Sequence, residues 1–352
     1  MTTFAQVYPF PPSLLPLPPS LQSVILTFLL PFSKSTFNAL TYATFRPTYP
    51  PQIFKTVLSY HASSPSPKQH TLLDLGCGHG LISRALSPHF DRVIGTDPSA
   101  KMITQAISST PFCNEGAGGG SNQDTDKAAE NAGEKEKFPN VEFRQASAED
   151  LWFVQDGELD MAVAGQAAHW FDYTRVWAEL SRTVRRGGTV AFWGYKDNVF
   201  VDPKATAVLD KYCYGEDKMG PYWEQPGRDI LRNLLREVVP PETEWEGVQR
   251  VEYEPDLGGK GKGKGNGEVL MQRRLRLGEV EGYVRTFSAY WNWMGANPGV
   301  RSRAEGGEGD VVDEMFDEMR GVEPEWEGKG EGWRDVEVEN EWGSVILMAR
   351  RR

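Results

Sequence analysis

Cysteine is scarce: Cys77, Cys113 and Cys213 are the only three in 352 residues. No pair of them has a zinc-ribbon or redox-pair spacing, and no Cys/His cluster suggests a metal site, so neither a disulfide scaffold nor a bound metal is expected. Odd, scattered thiols fit a reducing, cytoplasmic setting. Positive charge is also in deficit. Lys and Arg total 38 against 49 Asp and Glu, a formal net charge of −11. That balance argues against nucleic acid or an anionic membrane surface as partner, though a local basic pocket remains compatible with it. Long apolar runs are missing too. The stretch from Leu21 to Phe32 is interrupted by Gln22, Ser23, Thr27 and Pro31, and it is too short to span a bilayer. No Lys or Arg precedes Lys34, so the charged start of a signal peptide is lacking and no stable membrane insertion is expected. With Pro11, Pro12, Pro16, Pro18 and Pro19, residues 1–32 are expected to be a disordered or non-essential extension; targeting or membrane association is the alternative.

What is present is ordinary globular composition, 39% hydrophobic and 25% charged, enough for a sizeable core in one large domain or two small ones. Short apolar strands alternate with helical patterns. Strands are expected at Thr71–Leu75, Arg92–Thr96, Val141–Arg144, Leu159–Ala164 and Thr189–Trp193, and helices at Leu81–Leu86, Lys101–Ile107 and Tyr173–Val184. Arg185-Arg186-Gly187-Gly188 reads as a turn. The alternation predicts an α/β fold with a mostly parallel sheet and helices on both faces. Further on, Val248–Glu254 and Val345–Ala349 read as strands, and Glu279–Trp293 and Val311–Met319 as helices covering the substrate side. Two tracts, 115–137 and 258–267, hold almost nothing to bury and are expected to be dispensable disordered loops. The expected division is an extension to residue 32, a domain over 33–349 and a basic tail over 350–352.

The segment richest in chemistry is Asp74-Leu75-Gly76-Cys77-Gly78-His79-Gly80, between a strand and a helix. Its glycines let the backbone turn tightly and approach a ligand, which then meets free N–H groups at the helix start. A dinucleotide fingerprint would carry its third glycine one residue later, where Leu81 stands. Asp97-Pro98 ends the second strand, where an acidic side chain can accept ribose hydroxyls. Met102 follows one turn into the next helix, suited to an adenine face or to plain core packing. Ala148-Glu149-Asp150 follows the third strand and suits either an adenine edge or a helix cap.

These segments, Leu72–Gly80, Gly95–Ser99 and Ala148–Leu151, resemble the motif series of class I S-adenosylmethionine (SAM) methyltransferases. Gln166–Asp172, Tyr42–Pro50 and Arg285–Tyr290 narrow the resemblance to the fungal trans-aconitate methyltransferase group, over roughly residues 33–349 without the two tracts. The resemblance implies a Rossmann-like class I methyltransferase fold with a seven-stranded sheet. It implies SAM as methyl donor, S-adenosylhomocysteine (SAH) as product and a small-molecule acceptor. Cofactor residues would be Asp74, Gly76, Cys77, Gly78, Asp97, Pro98, Met102, Ala148, Glu149 and Gln166.

A carboxylate acceptor is ionised near neutral pH and needs no general base; a hydroxyl or amine does. His169 therefore has two readings, a wall of the acceptor pocket or a base, with Trp170 beside it. Arg46 and Arg285 can anchor an anion through their forked donors, and Tyr42, Tyr49 and Tyr290 can add hydroxyls and aromatic walls. Methylation of a carboxylate oxygen is the leading expectation. A hydroxyl, amine or carbon acceptor, a non-catalytic SAM-binding protein and a nicotinamide-dependent oxidoreductase are the alternatives. Oligomeric state is not readable from the sequence.

Overall fold

In the computed structural model of the protein, residues 44–108, 138–200, 202–255 and 269–352 are described. The expected extension 1–32, the tracts 115–137 and 258–267, and Tyr42 lie outside them. Among the described residues the first elements are α1 (Pro51–Ala62), β1 (Thr71–Leu75), α2 (Leu81–Leu86), β2 (Arg92–Asp97) and α3 (Ala100–Ser108). The chain continues with β3 (Val141–Gln145), β4 (Leu159–Gly165), α4 (Tyr173–Thr183), β5 (Val184–Phe200), α5 (Pro203–Tyr214) and α6 (Gly227–Arg232). The last part holds β6 (Trp245–Tyr253), β7 (Gln272–Arg276), α7 (Leu277–Val284), α8 (Ser288–Ala296), α9 (Val311–Val322), α10 (Pro324–Glu327) and β8 (Glu337–Arg351).

Seven strands run in the order β3-β2-β1-β4-β5-β8-β6, and β7 joins as an eighth on β8. The first five are parallel to their neighbours and β8 is antiparallel to β5, β6 and β7. This is the expected class I methyltransferase architecture. The inner strands read as continuous apolar runs because both sheet faces are covered. Alternate residues then serve opposite cores: Leu72, Ala191, Trp193, Ile346 and Met348 pack on the side of α1, α5 and α9. Leu73, Leu75, Val190, Phe192 and Leu347 pack on the side of α4 and α6. β3 lies at the sheet edge and is only half-buried.

Three sequence expectations need correction. Arg185–Gly188 is not a free turn: β5 starts at Val184, and Gly187 takes φ +75° within an irregular stretch where pairing jumps from Leu159↔Val184 to Met161↔Thr189. The ladder to β4 absorbs the glycine pair as a bulge-like irregularity. Glu279–Trp293 is two helices, α7 and α8, separated at Arg285–Phe287, where Thr286 N–H and Phe287 N–H donate to Tyr283 and Val284. The final strand is far longer than Val345–Ala349, since β8 also accepts β7 along its first half. Helices α1, α5 and α6 and strand β7 carry no strong sequence signal.

Candidate active site

The loop between β1 and α2 is shaped by left-handed backbone. Gly76, Gly78 and Gly80 have φ of +65°, +54° and +85°, a region that penalises any Cβ. The three glycines differ in what surrounds them. A Cβ on Gly76 would lie 2.5 Å from the Cβ of Ala167, and one on Gly80 would strike the Phe143 ring at 2.4 Å, whereas one on Gly78 would meet nothing within 4 Å. Packing therefore demands the outer glycines, while Gly78 presents bare backbone to open space. Asp97, at the end of β2, fixes that backbone: its Oδ2 accepts from Gly78 N–H at 3.0 Å and its Oδ1 from Ser99 N–H at 2.8 Å. Cys77 N–H donates to Thr96 O at 2.8 Å, tying the loop to β2.

Both acidic groups are strongly desolvated. Asp74 is fully buried on β1; its Oδ2 accepts from Ser83 Oγ at 2.6 Å, and its Oδ1 has no partner among the described residues. Burial raises Asp74 to about 7 and Asp97 to about 6. An orphan carboxylate oxygen, an open glycine face and a buried acid at the end of β2 form a set that fits the ammonium, carboxylate and ribose of SAM. Met102 is buried on α3 and Ala148 behind β3. Pro98 is exposed and its carbonyl accepts from Gln145 at 3.0 Å. Glu149 is tied locally, to Ser147 Oγ and to the N–H of Asp172 at 3.0 Å. Asp172 in turn caps α4.

Beyond the end of β4 the chain turns sharply. Gln166 sits at φ 55°, a strained conformation for a residue with a side chain. Its amide clasps β5: Nε2 donates to Tyr195 O and Oε1 accepts from Tyr195 N–H, both at 2.8 Å. That turn delivers the short helical turn Ala168–Trp170 into a cavity. Arg46 reaches the same cavity from the segment before α1. Gly282 on α7 has no side chain to block the Phe45 ring, and Arg46 Nη2 donates to Thr286 O at 3.1 Å. Tyr49 packs edge-on against Trp193 at 5.8 Å between ring centroids.

The structure adds residues that the sequence reading missed: Lys196, Asp197, Trp223, Glu224 and Arg228 also line the cavity, with Tyr283 and Phe287. Arg228 lies 3.9 Å over the Trp223 ring and is bonded to Asp197 and Tyr214. The only sequence signal was a cluster, Trp223-Glu224-Gln225-Pro226-Gly227-Arg228, of aromatic, charged and turn residues in one short stretch. His169 is 7% exposed and its Nδ1 has no partner among the described residues. Burial, then the positive charges of Arg228 and Arg46, pushes its imidazole down to about 3, so it is neutral at physiological pH. Trp170 packs against it with ring centroids 4.7 Å apart.

Arg285 and Tyr290 are not brought to this cavity. The Arg285 guanidinium is held by Asp310, by Asp313 at 3.0 Å and by Glu281 at 3.3 Å, and Tyr290 donates to Asp310 at 2.8 Å. This network locks α7, α8 and α9 together. Among the described residues no His/Cys/Asp/Glu group can hold a metal, and no helix is long and apolar enough to cross a membrane.

Comparison with known proteins places these features. Residues 120–192 match a family described as a methyltransferase domain, and residues 16–111 match the DREV methyltransferase family. The chain is 25% identical to the "Probable S-adenosylmethionine-dependent methyltransferase CRG1" of Saccharomyces cerevisiae, over 91% of this chain and 98% of the relative. It is 24% identical to the methyltransferase pgmE of Aspergillus terreus, over 61% of this chain and 62% of the relative. A solved structure of a candidate type II methyltransferase from Anaeromyxobacter dehalogenans superposes with a TM-score of 0.55 at 25% identity, covering 87% of this chain and 98% of that one. With the sheet order, the glycine loop and these likenesses in agreement, the protein is a SAM-dependent methyltransferase of class I.

Proposed function

We propose that the protein transfers the methyl group of SAM to a carboxylate oxygen of a small organic acid. The observation that carries this reading is the cavity wall around His169, where two guanidiniums, Arg46 and Arg228, meet an imidazole that they and burial hold neutral. A positive field suits an anionic acceptor, and an imidazole near 3 is a poor base for a hydroxyl or ammonium acceptor. The resemblance to the fungal trans-aconitate methyltransferase group supports the same chemistry.

Asp74, Gly76, Cys77 and Gly78 hold the methionine part of SAM and Asp97 its ribose, with Met102, Ala148 and Glu149 toward the adenine. SAM supplies a methyl group activated by its sulfonium. The chain's own work is alignment and exclusion of water, which is worth roughly 7–11 kcal/mol in favourable cases. Gln166 acts from the side: its amide is engaged by Tyr195, so it keeps the ends of β4 and β5 in register beneath the two ligands. Arg46 anchors the acceptor carboxylate, Trp170 walls it, and Tyr49, outside the lining, backs the wall through Tyr195.

The test is transfer of labelled methyl from SAM to a panel of carboxylic acids. A product cleaved by mild alkali, and an Arg46→Gln variant with raised acceptor KM but near-normal SAH affinity, are the expected results. Alkali-resistant label would move the acceptor atom to nitrogen, carbon or an ether oxygen.

A further inference from the structure

We infer that the N-terminus of α8 is an anion seat, and that it holds a carboxylate of the acceptor on the main-chain N–H and the hydroxyl of Ser288. This rests on the reading of the cavity beside His169 as the acceptor site. It adds a main-chain contact to an end otherwise built from side chains.

The first observation is the start of the helix. Phe287 is the N-cap of α8, and its side chain offers no acceptor. The N–H groups of Thr286 and Phe287 are used in the corner after α7, at 2.9 Å on Tyr283 O and 3.0 Å on Val284 O. The next main-chain bond is Trp291 N–H on Phe287 O at 3.3 Å. Between them the N–H groups of Ser288, Ala289 and Tyr290 meet no acceptor among the described residues, and Ser288 Oγ has no partner there either. Phe287 and Ser288 line the cavity and no later residue of α8 does, so the helix meets it end-on. Unpaired N–H groups and the positive end of a helix dipole at one spot favour an anion.

The acids on the cavity wall are engaged elsewhere. Asp197 is held by Arg228 and accepts from the Tyr214 hydroxyl at 2.7 Å. Glu224 accepts from Asn292 Nδ2, one turn into α8, at 3.2 Å. The corner is braced instead by a cation. Arg46 Nη2 donates to Thr286 O at 3.1 Å, two residues before Ser288, and its guanidinium lies 5.5 Å and 5.7 Å from the ring centroids of Tyr283 and Phe287.

The second observation is independent of the helix. His169 lines the same cavity from the turn after β4, is 7% exposed, and has a buried Nδ1 with no partner among the described residues. A buried polar atom that the protein leaves unmatched is costly and uncommon. In a cavity wall it marks the place of a bound polar group.

Ser288 allows a clean test. Phe287 has φ −68° and ψ 141°, the extended conformation that a residue before proline adopts. Proline is favoured at the first position of a helix, and the N–H that Ser288→Pro removes bonds nothing in the protein. Ser288→Asp instead puts an acid in the first turn, where a helix tolerates it well, and sets a negative charge against the ligand. The full chain is assayed with labelled SAM and acetate, benzoate, hexanoate and trans-aconitate, and binding of each acid to the SAH complex is measured by calorimetry. For the acids that are methylated, Ser288→Pro should raise KM about tenfold, the scale of a lost hydrogen bond to a charged group. Ser288→Asp should raise it further. SAH affinity and kcat should stay nearly unchanged in both, the signature of lost ground-state binding. The uncharged primary amide of the same acid should lose little affinity to Ser288→Asp; an equal loss for acid and amide would mean general damage to the wall and would overturn the seat. An unmoved KM in the folded variants overturns it too, and leaves carboxylate transfer standing. If Ser288→Pro does not fold, Ser288→Asp carries the test. Acid binding that falls in the variants, together with alkali-resistant label, keeps the seat and overturns carboxylate transfer. If none of the four acids is bound or methylated, the seat and the carboxylate reading fall together.

Discussion

The two ends of the site are built differently. The proposed cofactor end is a continuous stretch of backbone, Asp74 to Gly80, shaped by glycine conformation and main-chain N–H groups. The proposed acceptor end is assembled from side chains of Arg46, His169, Trp170, Asp197, Arg228 and Phe287, drawn from segments more than two hundred residues apart. A backbone site tolerates little drift, because Gly76 and Gly80 are fixed by packing and all three glycines by their left-handed backbone. A side-chain site can change its ligand by single substitutions without touching the sheet. Donor identity is therefore written locally, and acceptor identity is spread over the chain.

The largest effect is expected away from both ends. Arg285→Met leaves Asp310 and Asp313 buried without their cation, and breaking such a network should cost about 3–5 kcal/mol of stability. Thermal unfolding checks the loss, and the folded fraction should keep its acceptor KM; a raised KM would return Arg285 to the acceptor site.

Gly78→Val comes next. No atom opposes its Cβ within 4 Å, so the fold should survive with a strain of about 1–2 kcal/mol. SAH affinity should fall by about 2.7 kcal/mol or more, roughly a hundredfold, as read by calorimetry. Unchanged affinity would break the contrast between the ends.

Asp97→Ala should weaken SAH by about 1.5–3 kcal/mol, the range for hydrogen bonds to a charged group. pH should act in the same direction and more gently. Asp74 and Asp97 have folded values raised from 3.8 to about 7 and about 6. Their contribution to the stability of the ligand-free fold is present at low pH and is lost as pH rises through those values. SAM's ammonium and ribose hydroxyls favour the ionised carboxylates, so SAH affinity should rise between pH 5 and 8, by about tenfold for each pKa unit recovered on binding. Melting curves with and without SAH across that range give both signs at once.

The smallest effect is expected at His169. If its neutral ring is a wall rather than a base, His169→Gln should lower kcat by less than about threefold, under about 0.7 kcal/mol. A loss of a hundredfold or more would make it the base and revive a hydroxyl or amine acceptor.

This contrast explains what the sequence could disclose. Strand, glycine loop and helix at Thr71–Leu86 are contiguous, so periodicity and glycine spacing locate them together, and Asp97 follows from the same register. The acceptor end has no such contiguity. Arg285 looked available because two of its three carboxylate partners, Asp310 and Asp313, lie 25 and 28 residues away, and no local pattern announces them. Arg228 was overlooked because its stretch carries no repeat or motif. The break between α7 and α8 was hidden by an apolar run with no proline. The glycine pair at Gly187-Gly188 signals a turn, but pairing with β4 overrides the local preference.

The order of synthesis bears on the antiparallel β8. It is made after every strand it joins, yet it supplies the partner for β5, β6 and β7. Until it arrives, the β5 edge of the parallel core has unpaired N–H and C=O groups, and two further strands have no ladder at all. A nascent chain at that stage is a template for pairing with its neighbours, and the long separation in sequence delays closure. A stop codon shortly before Glu337 should therefore yield aggregate rather than a shortened enzyme, even though it spares Asp74, Asp97 and every described residue lining the proposed acceptor cavity.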